Sequence, residues 1–332
     1  MKEALTPAHI ASRQTQRRNL ENDSMSEPKD DLNPTFARRG SFLGTANESP
    51  DAAIAVAGVA FDIATTNRAG AREGPAALRY ASRMAGGTYP DLWHNIFDLD
   101  FADVGNFALK MGYLHDSLEM IEAQASRYNH LIALGGDHLI SLPLLRALHK
   151  KHGPVGMIHF DAHVNTWDDN FGAPVTHGSN FRIAINEGLI DPIRMVQIGI
   201  RCRVQPDVWQ WTLDQGVTII TAEDVHMSTP AEIAKRAQDV VGDGKTYLTF
   251  DIDGLDPSVA PGTGTPEIGG LLSWQARGIM TRLQNINFIG MDLVEVAPAY
   301  DVGEISALAG ATMIALYMGL LVERGVGLKA ES

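Results

Sequence analysis

The segment His159–Asp169, HFDAHVNTWDD, follows an apolar run and places Asp161, His163 and Asn165 at alternate positions. On an extended chain, residues i and i+2 project to the same side, so an aspartate and a histidine in this spacing can reach one centre. The grammar recurs. HLIALGG runs into Asp137 and His138, TYLTF into Asp251, Asp253 and Asp256, and FIGMDLV into Glu295. Taken singly, each has an ordinary structural account: an aspartate after a Gly-Gly pair caps a turn, and Asp-x-Asp at a strand end is more often a loop. Taken together, four strand ends deliver carboxylates and imidazoles, and such a cluster repels itself unless cations neutralise it. Mixed oxygen and nitrogen donors suit manganese, nickel, cobalt or zinc better than calcium, and the lack of cysteine among them argues against a structural zinc knot.

These residues need elements to position them. From Ile54 onward, short apolar runs alternate with longer amphipathic segments. The runs are IAVAGVAF, HNIFDLDFADV, HLIALGG, VGMIHFDA, MVQIGIR, GVTIITA, TYLTFDID and INFIGMDLVEV; helix-like stretches such as SLEMIEAQASRY, SLPLLRALHKK, PDVWQWTLDQ and TPAEIAKRAQDVV lie between them. Apolar strands without polar alternation imply a sheet covered on both faces, and strands alternating with helices imply parallel β-α-β units. The expected fold class is α/β: a three-layer α/β/α sandwich with a mainly parallel sheet of about eight strands. Ligands in such sheets bind beyond the carboxyl ends of the strands, where the polar residues above all sit. Residues 1–50 are polar and weakly periodic and read as a flexible N-terminal arm, with Met25 as an alternative start; 51–325 read as one domain without an internal linker. Glu304 is expected to open the last helix, EISALAGATMIALYMGLL, which is apolar on nearly all sides and therefore buried.

Composition bounds the partners. The chain has 332 residues, 45% hydrophobic and 20% charged, with a net charge of −13, which argues against binding nucleic acid or an acidic membrane surface. The single cysteine, Cys202, permits no disulfide within the chain and fits a reducing, cytoplasmic compartment; it is expected to pack as a small hydrophobe. No apolar run is expected to reach the ~18 uninterrupted residues of a membrane span.

The stretches GGDHLISLPLLRAL, HFDAHVNTWDDNFGAPVTHGSNFR, TFDIDGLDPSVAPGTGTPEIGG and GMDLVEVAPAYD, with NRAGAREGPAALR near the first strand, resemble the ureohydrolases: agmatinase, guanidinobutyrase, arginase and their relatives. The resemblance covers residues from about 54 to about 322. It implies an arginase-like fold with two divalent metal ions, Mn2+ or Ni2+, whose bridging hydroxide attacks a guanidinium carbon so that urea leaves from an amine. It places His138, Asp161, His163, Asp251 and Asp253 at metal-ligand positions, with Asp161 and Asp251 bridging. His177 matches the histidine that shuttles protons, and Glu295 the carboxylate that holds the guanidinium. Trp167 and Asn180 are expected to contact the substrate. The expected partners are a small cationic guanidine substrate and further subunits, in a homo-oligomeric trimer or hexamer or a heteromer with a related ureohydrolase subunit.

The chain departs from the family pattern at Asn165, where the family has an aspartate that binds the same metal as His138. Asparagine can coordinate through its amide oxygen, but it is neutral. Leu139 stands where agmatinase-like members carry a serine, and Asn180 where an apolar residue or proline is usual. Two readings follow: a site tuned to another guanidine compound (agmatine, guanidinobutyrate, guanidine, or an alkylated guanidine or biguanide), or a subunit that has stopped catalysing and partners one that has not.

Overall fold

The structure is a computed structural model that describes residues 40–87, 94–169 and 171–330. All eight expected strands form: β1 (Ile54–Gly58), β2 (Phe101–Asn106), β3 (Leu131–Leu134), β4 (Val155–Phe160), β5 (Ile190–Ile200), β6 (Thr218–Thr221), β7 (Lys245–Asp251) and β8 (Asn287–Val294). They make one sheet in the order β2-β1-β3-β8-β7-β4-β5-β6, with every neighbouring pair parallel. The helices among the described residues are α1 (Gly74–Ala81), α2 (Leu114–Ala125), α3 (Ser141–His152), α4 (Asn180–Asn186), α5 (Pro206–Asp214), α6 (Ala222–His226), α7 (Pro230–Val241), α8 (Ser273–Met280) and α9 (Ile305–Glu323).

Side-chain alternation along the strands builds the three layers. Ile158 and Phe160 of β4, Leu248 and Phe250 of β7 and Leu293 of β8 face one core with Leu78, Ile233, Ile279 and Ile314 from α1, α7, α8 and α9. Met157 of β4 and Tyr247 of β7 face the other, with Ile121, Leu145 and Phe181 from α2, α3 and α4. Both faces are covered, so the strands carry no polar alternation. Full burial of each such side chain contributes roughly 1.5–3 kcal/mol, which makes these two layers the main source of stability.

Three expectations change here. The arm ends earlier than residue 50: Phe42 is fully buried, and its N–H donates to Asp103 Oδ2 at 2.7 Å, so residues 40–50 belong to the domain, while 1–39 and Met25 lie outside the described residues. α9 is long and apolar enough to cross a membrane by composition, contrary to the expected absence of such a run, but most of it is buried inside the protein. Its N-terminus is not organised by Glu304, which sits in the left-handed region at φ 62° without a side-chain cap bond. Asp301 takes that role, accepting from the N–H groups of Ser306 and Ala307 and from Ser306 Oγ.

β3, β8, β7 and β4 are consecutive in the sheet, and these are the four strands whose ends carry the polar clusters. Phe160 pairs with Phe250, so Asp161 and Asp251 leave their strands at one level. The Gly135-Gly136 pair lets β3 turn tightly under them. A Cβ on Gly136 would lie 2.2 Å from the Phe61 carbonyl oxygen, so no other residue fits.

Candidate metal centre

Beyond the carboxyl edge the chain turns abruptly at each strand. Asp137, three residues past the end of β3, caps the turn His138–Ile140, its Oδ1 accepting from Leu139 N at 3.0 Å and its Oδ2 from Ala64 N at 2.9 Å. Buried beside Glu295, the Asp137 carboxyl is pushed up to about 8, first by desolvation and then by that carboxylate. Asp251 caps the turn Ile252–Gly254, accepting from Asp253 N at 2.9 Å. Arg201 braces this turn by donating to the carbonyls of Asp253, Gly254 and Leu255. Asp256 accepts from the N–H groups of Ser258, Gly269 and Gly270 and holds the loop beyond, which lowers its carboxyl to about 2 against the effect of burial.

The expected ligands converge. His138 Nδ1 lies 2.9 Å from Asp251 Oδ2 and 3.1 Å from Asp161 Oδ2. His163 Nδ1 lies 3.1 Å from Asp253 Oδ2 and 3.2 Å from Asp161 Oδ1. Asp161 stands between the two imidazoles and offers one oxygen to each. His138, Asp161, Asp251 and Asp253 are buried, while His163 is partly open to the cleft. Desolvation pulls both imidazoles down, but the carboxylates outweigh it and hold His138 and His163 well above the usual histidine range. Asp251 is raised, first by burial and then by Asp253 and Asp161. These carboxylates and imidazoles balance one another only by holding protons that a cation could displace, and separations near 3 Å match the edges of an octahedral shell with bonds of about 2.1 Å. The donor set fits divalent cations, most directly at Asp161, His163 and Asp253, which can all reach one ion.

Asn165 alters the other half. Its Nδ2 lies 2.7 Å from Asp161 Oδ2 and 3.1 Å from His138 Nδ1, so an amide N–H stands among the atoms that would meet a cation. Asp161 Oδ2 also accepts from His159 Nε2 at 2.7 Å. The direction follows from Gln197, which donates to the Val164 carbonyl and to His159 Nδ1, leaving the proton on Nε2. With two N–H donors on it, Asp161 Oδ2 has little left for an ion. Half a turn of the amide would present its oxygen instead. Asn165 holds φ 52°, a left-handed conformation that asparagine tolerates better than most residues.

Glu295 follows β8 directly. Its Oε1 accepts from His138 N at 2.9 Å and His177 Nδ1 at 2.8 Å, while its buried Oε2 has no hydrogen-bond partner among the described residues. His177 Nε2 accepts from Thr66 N at 3.1 Å, which places the neutral ring's proton on Nδ1. Burial lowers the basicity of His177, but Glu295 raises it more, and the net shift is upward.

The cleft above these groups has a volume of about 410 Å³. His138, His163, Asn165, Trp167, His177 and Asp251 line it. Trp167 Nε1 donates to Gln205 Oε1 at 2.7 Å, which fixes the indole as a wall. Asn180 is elsewhere: it is fully buried and donates to the His138 carbonyl at 2.7 Å, so it supports the His138 turn rather than meeting a substrate. Leu139 is fully buried in the core and does not line the cleft. Cys202, expected to pack as a small hydrophobe, is half-buried on the cleft wall, with burial pushing its thiol up to about 11. The sequence reading missed His159, Gln197, Thr249 and Asp292 behind the ligands. Of these only His159 carried a signal, as a histidine inside a buried apolar run.

A sequence profile of the arginase family matches residues 52–319. The chain is 44% identical over 298 residues to a guanidinopropionase of Pseudomonas aeruginosa, covering 87% of this chain and 92% of that one. It is 42% identical over 274 residues to an agmatinase of Cronobacter sakazakii, covering 79% and 85%. A crystal structure described as a hypothetical agmatinase from Burkholderia thailandensis superposes with a TM-score of 0.81 at 39% identity, over 88% of this chain and 93% of that one.

Proposed function

The chain belongs to the arginase family and is a ureohydrolase, and from that premise we propose that it hydrolyses a small guanidine compound to urea and an amine at the His138–Asp161–His163–Asp251–Asp253 centre. The observation that carries the reading is the pairing of a buried carboxylate–imidazole donor cluster with a buried carboxylate oxygen, Glu295 Oε2, that has no hydrogen-bond partner among the described residues, at the same strand edge.

When bound, divalent ions supply the Lewis acidity that makes water nucleophilic at neutral pH. The side chains do the rest. Asp161, Asp253 and His163 would hold one ion; His138, Asp251 and Asn165 would face the second position. Glu295 Oε2 accepts from a guanidinium N–H, and its charge orients the planar cation for attack. His177, kept basic by Glu295, holds one proton at Nδ1 and takes a second at Nε2 from the attacking water, which it gives to the departing amine. Trp167 bounds the substrate's carbon chain. The family relatives named above act on agmatine and guanidinopropionate, which differ in the charge of the tail; both are candidates here, as are guanidinobutyrate, guanidine itself and alkylated guanidines or biguanides. The setting is cytoplasmic, and manganese and nickel are the candidate ions.

A second reading rests on one contact, Asn165 Nδ2 to Asp161 Oδ2 at 2.7 Å. With the amide nitrogen inward, the second ion is replaced by an N–H group, and the chain serves as a weakened or silent subunit beside a related ureohydrolase. The test is urea release from a guanidine panel by the purified chain, loaded with manganese or nickel, alongside its metal content. Urea formed with equimolar amine and two ions per chain supports the enzyme. One ion or none, and no urea from any substrate, refutes it for the isolated chain.

A further inference from the structure

His177 is buried in the wall of the cleft, and the protein engages both of its ring nitrogens. Nδ1 faces Glu295 Oε1 at 2.8 Å. Nε2 meets two groups of one residue, Thr66: the backbone N–H at 3.1 Å and Oγ1 at 2.8 Å. Thr66 also lines the cleft, and its hydroxyl has no other hydrogen-bond partner among the described residues. We propose that Thr66 is a further catalytic residue, whose hydroxyl carries the proton between His177 Nε2 and the reacting atoms in the cleft.

Several contacts hold Thr66 there. Asp62, a buried carboxylate, accepts from Gly70 N at 2.9 Å and from Arg72 Nε at 2.6 Å, which closes residues 62–70 into a loop. Inside it, Thr65 Oγ1 donates to the Asp62 carbonyl at 3.1 Å. Ala64 N donates to Asp137 Oδ2 at 2.9 Å, and the Ala64 carbonyl accepts from His177 N at 3.2 Å. The loop thus grips His177 by its backbone through Ala64 and by its ring through Thr66. An imidazole nitrogen offers one lone pair in the ring plane, and at Nε2 Thr66 occupies it. Of the two Thr66 groups, the amide N–H only donates, whereas a hydroxyl both accepts and donates. The hydroxyl is therefore the group that can pass a proton onward. On delivery, the Nε2–H bond of the imidazolium breaks and that proton bonds to Oγ1. The proton that Oγ1 held bonds to the departing amine nitrogen, which takes the electron pair of the broken C–N bond. Thr66 ends as the neutral hydroxyl it began as, and His177 as a neutral imidazole. The reverse passage brings the proton of the attacking water to Nε2, so the ring serves both steps without turning away from Glu295.

This inference rests on the proposed hydrolysis, and the experiment keeps the two apart. Urea release from agmatine, guanidinopropionate, guanidinobutyrate and guanidine is measured for the unaltered chain loaded with manganese or nickel, and for Thr66→Ser, Thr66→Ala and Thr66→Val. Exchange of the His177 Nε2 proton with solvent is followed by proton–nitrogen NMR in the metal-free proteins at about pH 6. Thr66→Val keeps the shape but not the hydroxyl, and should lower kcat roughly a hundredfold with KM little changed. Thr66→Ser retains the hydroxyl and should recover kcat to within about threefold of the parent. Thr66→Ala leaves a gap that a water molecule can fill, so its kcat should lie between those two. A packing role predicts the opposite order, with valine near the parent and alanine worst. Nε2–H exchange should be about tenfold slower in Thr66→Val than in the parent and Thr66→Ser. Where urea forms, the order of kcat decides: a Thr66→Val protein with the parent's kcat, or with a higher kcat than Thr66→Ala, overturns the relay while the hydrolase stands. If the unaltered chain releases no urea from any compound, the hydrolysis reading fails and the exchange alone decides. Exchange slowed in Thr66→Val but not in Thr66→Ser then supports the relay, and equal exchange in all refutes it.

Discussion

Replacing Asn165 by aspartate should create a second ion site and make the metal-free protein less stable. Asn165 Nδ2 is 2.7 Å from Asp161 Oδ2 in a buried setting, and the exchange puts a carboxylate oxygen where a donor stood. Two unit charges about 4 Å apart at an effective dielectric of about 20 repel by about 4 kcal/mol. Protonation limits that cost to a similar figure, since neutralising a carboxyl with an ordinary value near 3.9 at pH 7 also takes about 4 kcal/mol. The metal-free Asn165→Asp protein should therefore lose up to about 4 kcal/mol in urea unfolding. A second divalent ion removes the repulsion and recovers most of that energy, which corresponds to an affinity gain on the order of a thousandfold at that position. The ligands would then supply four negative charges in place of the three from Asp161, Asp251 and Asp253. The backbone should be unaffected, because aspartate also tolerates the left-handed φ of 52° at this position. Metal content after loading with manganese and dialysis, together with unfolding curves with and without the ion, gives both numbers. A variant that binds no more metal than the parent and unfolds at the same urea concentration would refute both halves of this reasoning.

Three further outcomes are expected. Glu295→Gln removes the charge opposite the guanidinium but keeps an acceptor for His138 N, so kcat/KM should fall roughly ten- to hundredfold with metal content unchanged; a parallel loss of metal would mean that Glu295 holds the centre, not the substrate. Asp301→Ala should cost about 1–2 kcal/mol in urea unfolding through loss of the α9 cap, and Glu304→Ala much less; equal costs would contradict the assignment. His130 is buried against Tyr317, its Nε2 2.8 Å from the phenol oxygen, and desolvation lowers it to about 4. The unfolded chain binds a proton near 6.5 while the folded chain resists until about 4, so this group's stability is present above 6.5 and is lost as pH falls through that window. Between pH 7 and pH 5 the loss is about 2 kcal/mol, and a His130→Gln protein that shows the same pH slope as the parent would refute it.

The candidate ligands were legible because a parallel sheet buried on both faces writes each strand as an unbroken apolar run. A polar cluster just past the run then marks the functional edge without any knowledge of the fold. Strand order could not be read the same way, and it is strand order that brings β3, β8, β7 and β4 side by side. The residues behind the ligands were silent for a related reason. Asp292 meets Ser141 from 151 residues away and Thr249 from 43, so no local spacing ties them together, and within INFIGMDLVEV a lone aspartate carries no period. Asn180 was misread because its neighbour His177 does line the cleft; α4 begins at Asn180 and turns its side chain under His138. Glu304 looked like a cap from its place in the sequence, but the chain bends left-handed there, and Asp301 reaches the exposed N–H groups first.

The distribution of strain bears on whether Asn165 marks a decayed site. Glu295 holds φ 63°, a conformation that costs an ordinary residue about 1–2 kcal/mol. The bend is held by Glu295 N donating to the Gly136 carbonyl at 2.8 Å and by the two donors on Oε1. It swings the carboxylate off the strand toward the cleft while leaving Oε2 without a partner among the described residues, a second cost, since a buried acceptor without a donor is unfavourable. Neither cost serves the fold, and a side chain that no longer met a cation would gain by relaxing into ordinary strand geometry. The proposed guanidinium side of the site thus retains an expensive arrangement while the candidate ligand set departs from the family pattern at a single position. The consequence is separable by experiment. Guanidine binding should persist in the unaltered chain whatever its metal content, and Asn165→Asp alone should raise turnover. If Asn165→Asp fills the second position and urea release does not rise, the substrate side has been lost as well, and the Glu295 geometry is a relic of the fold.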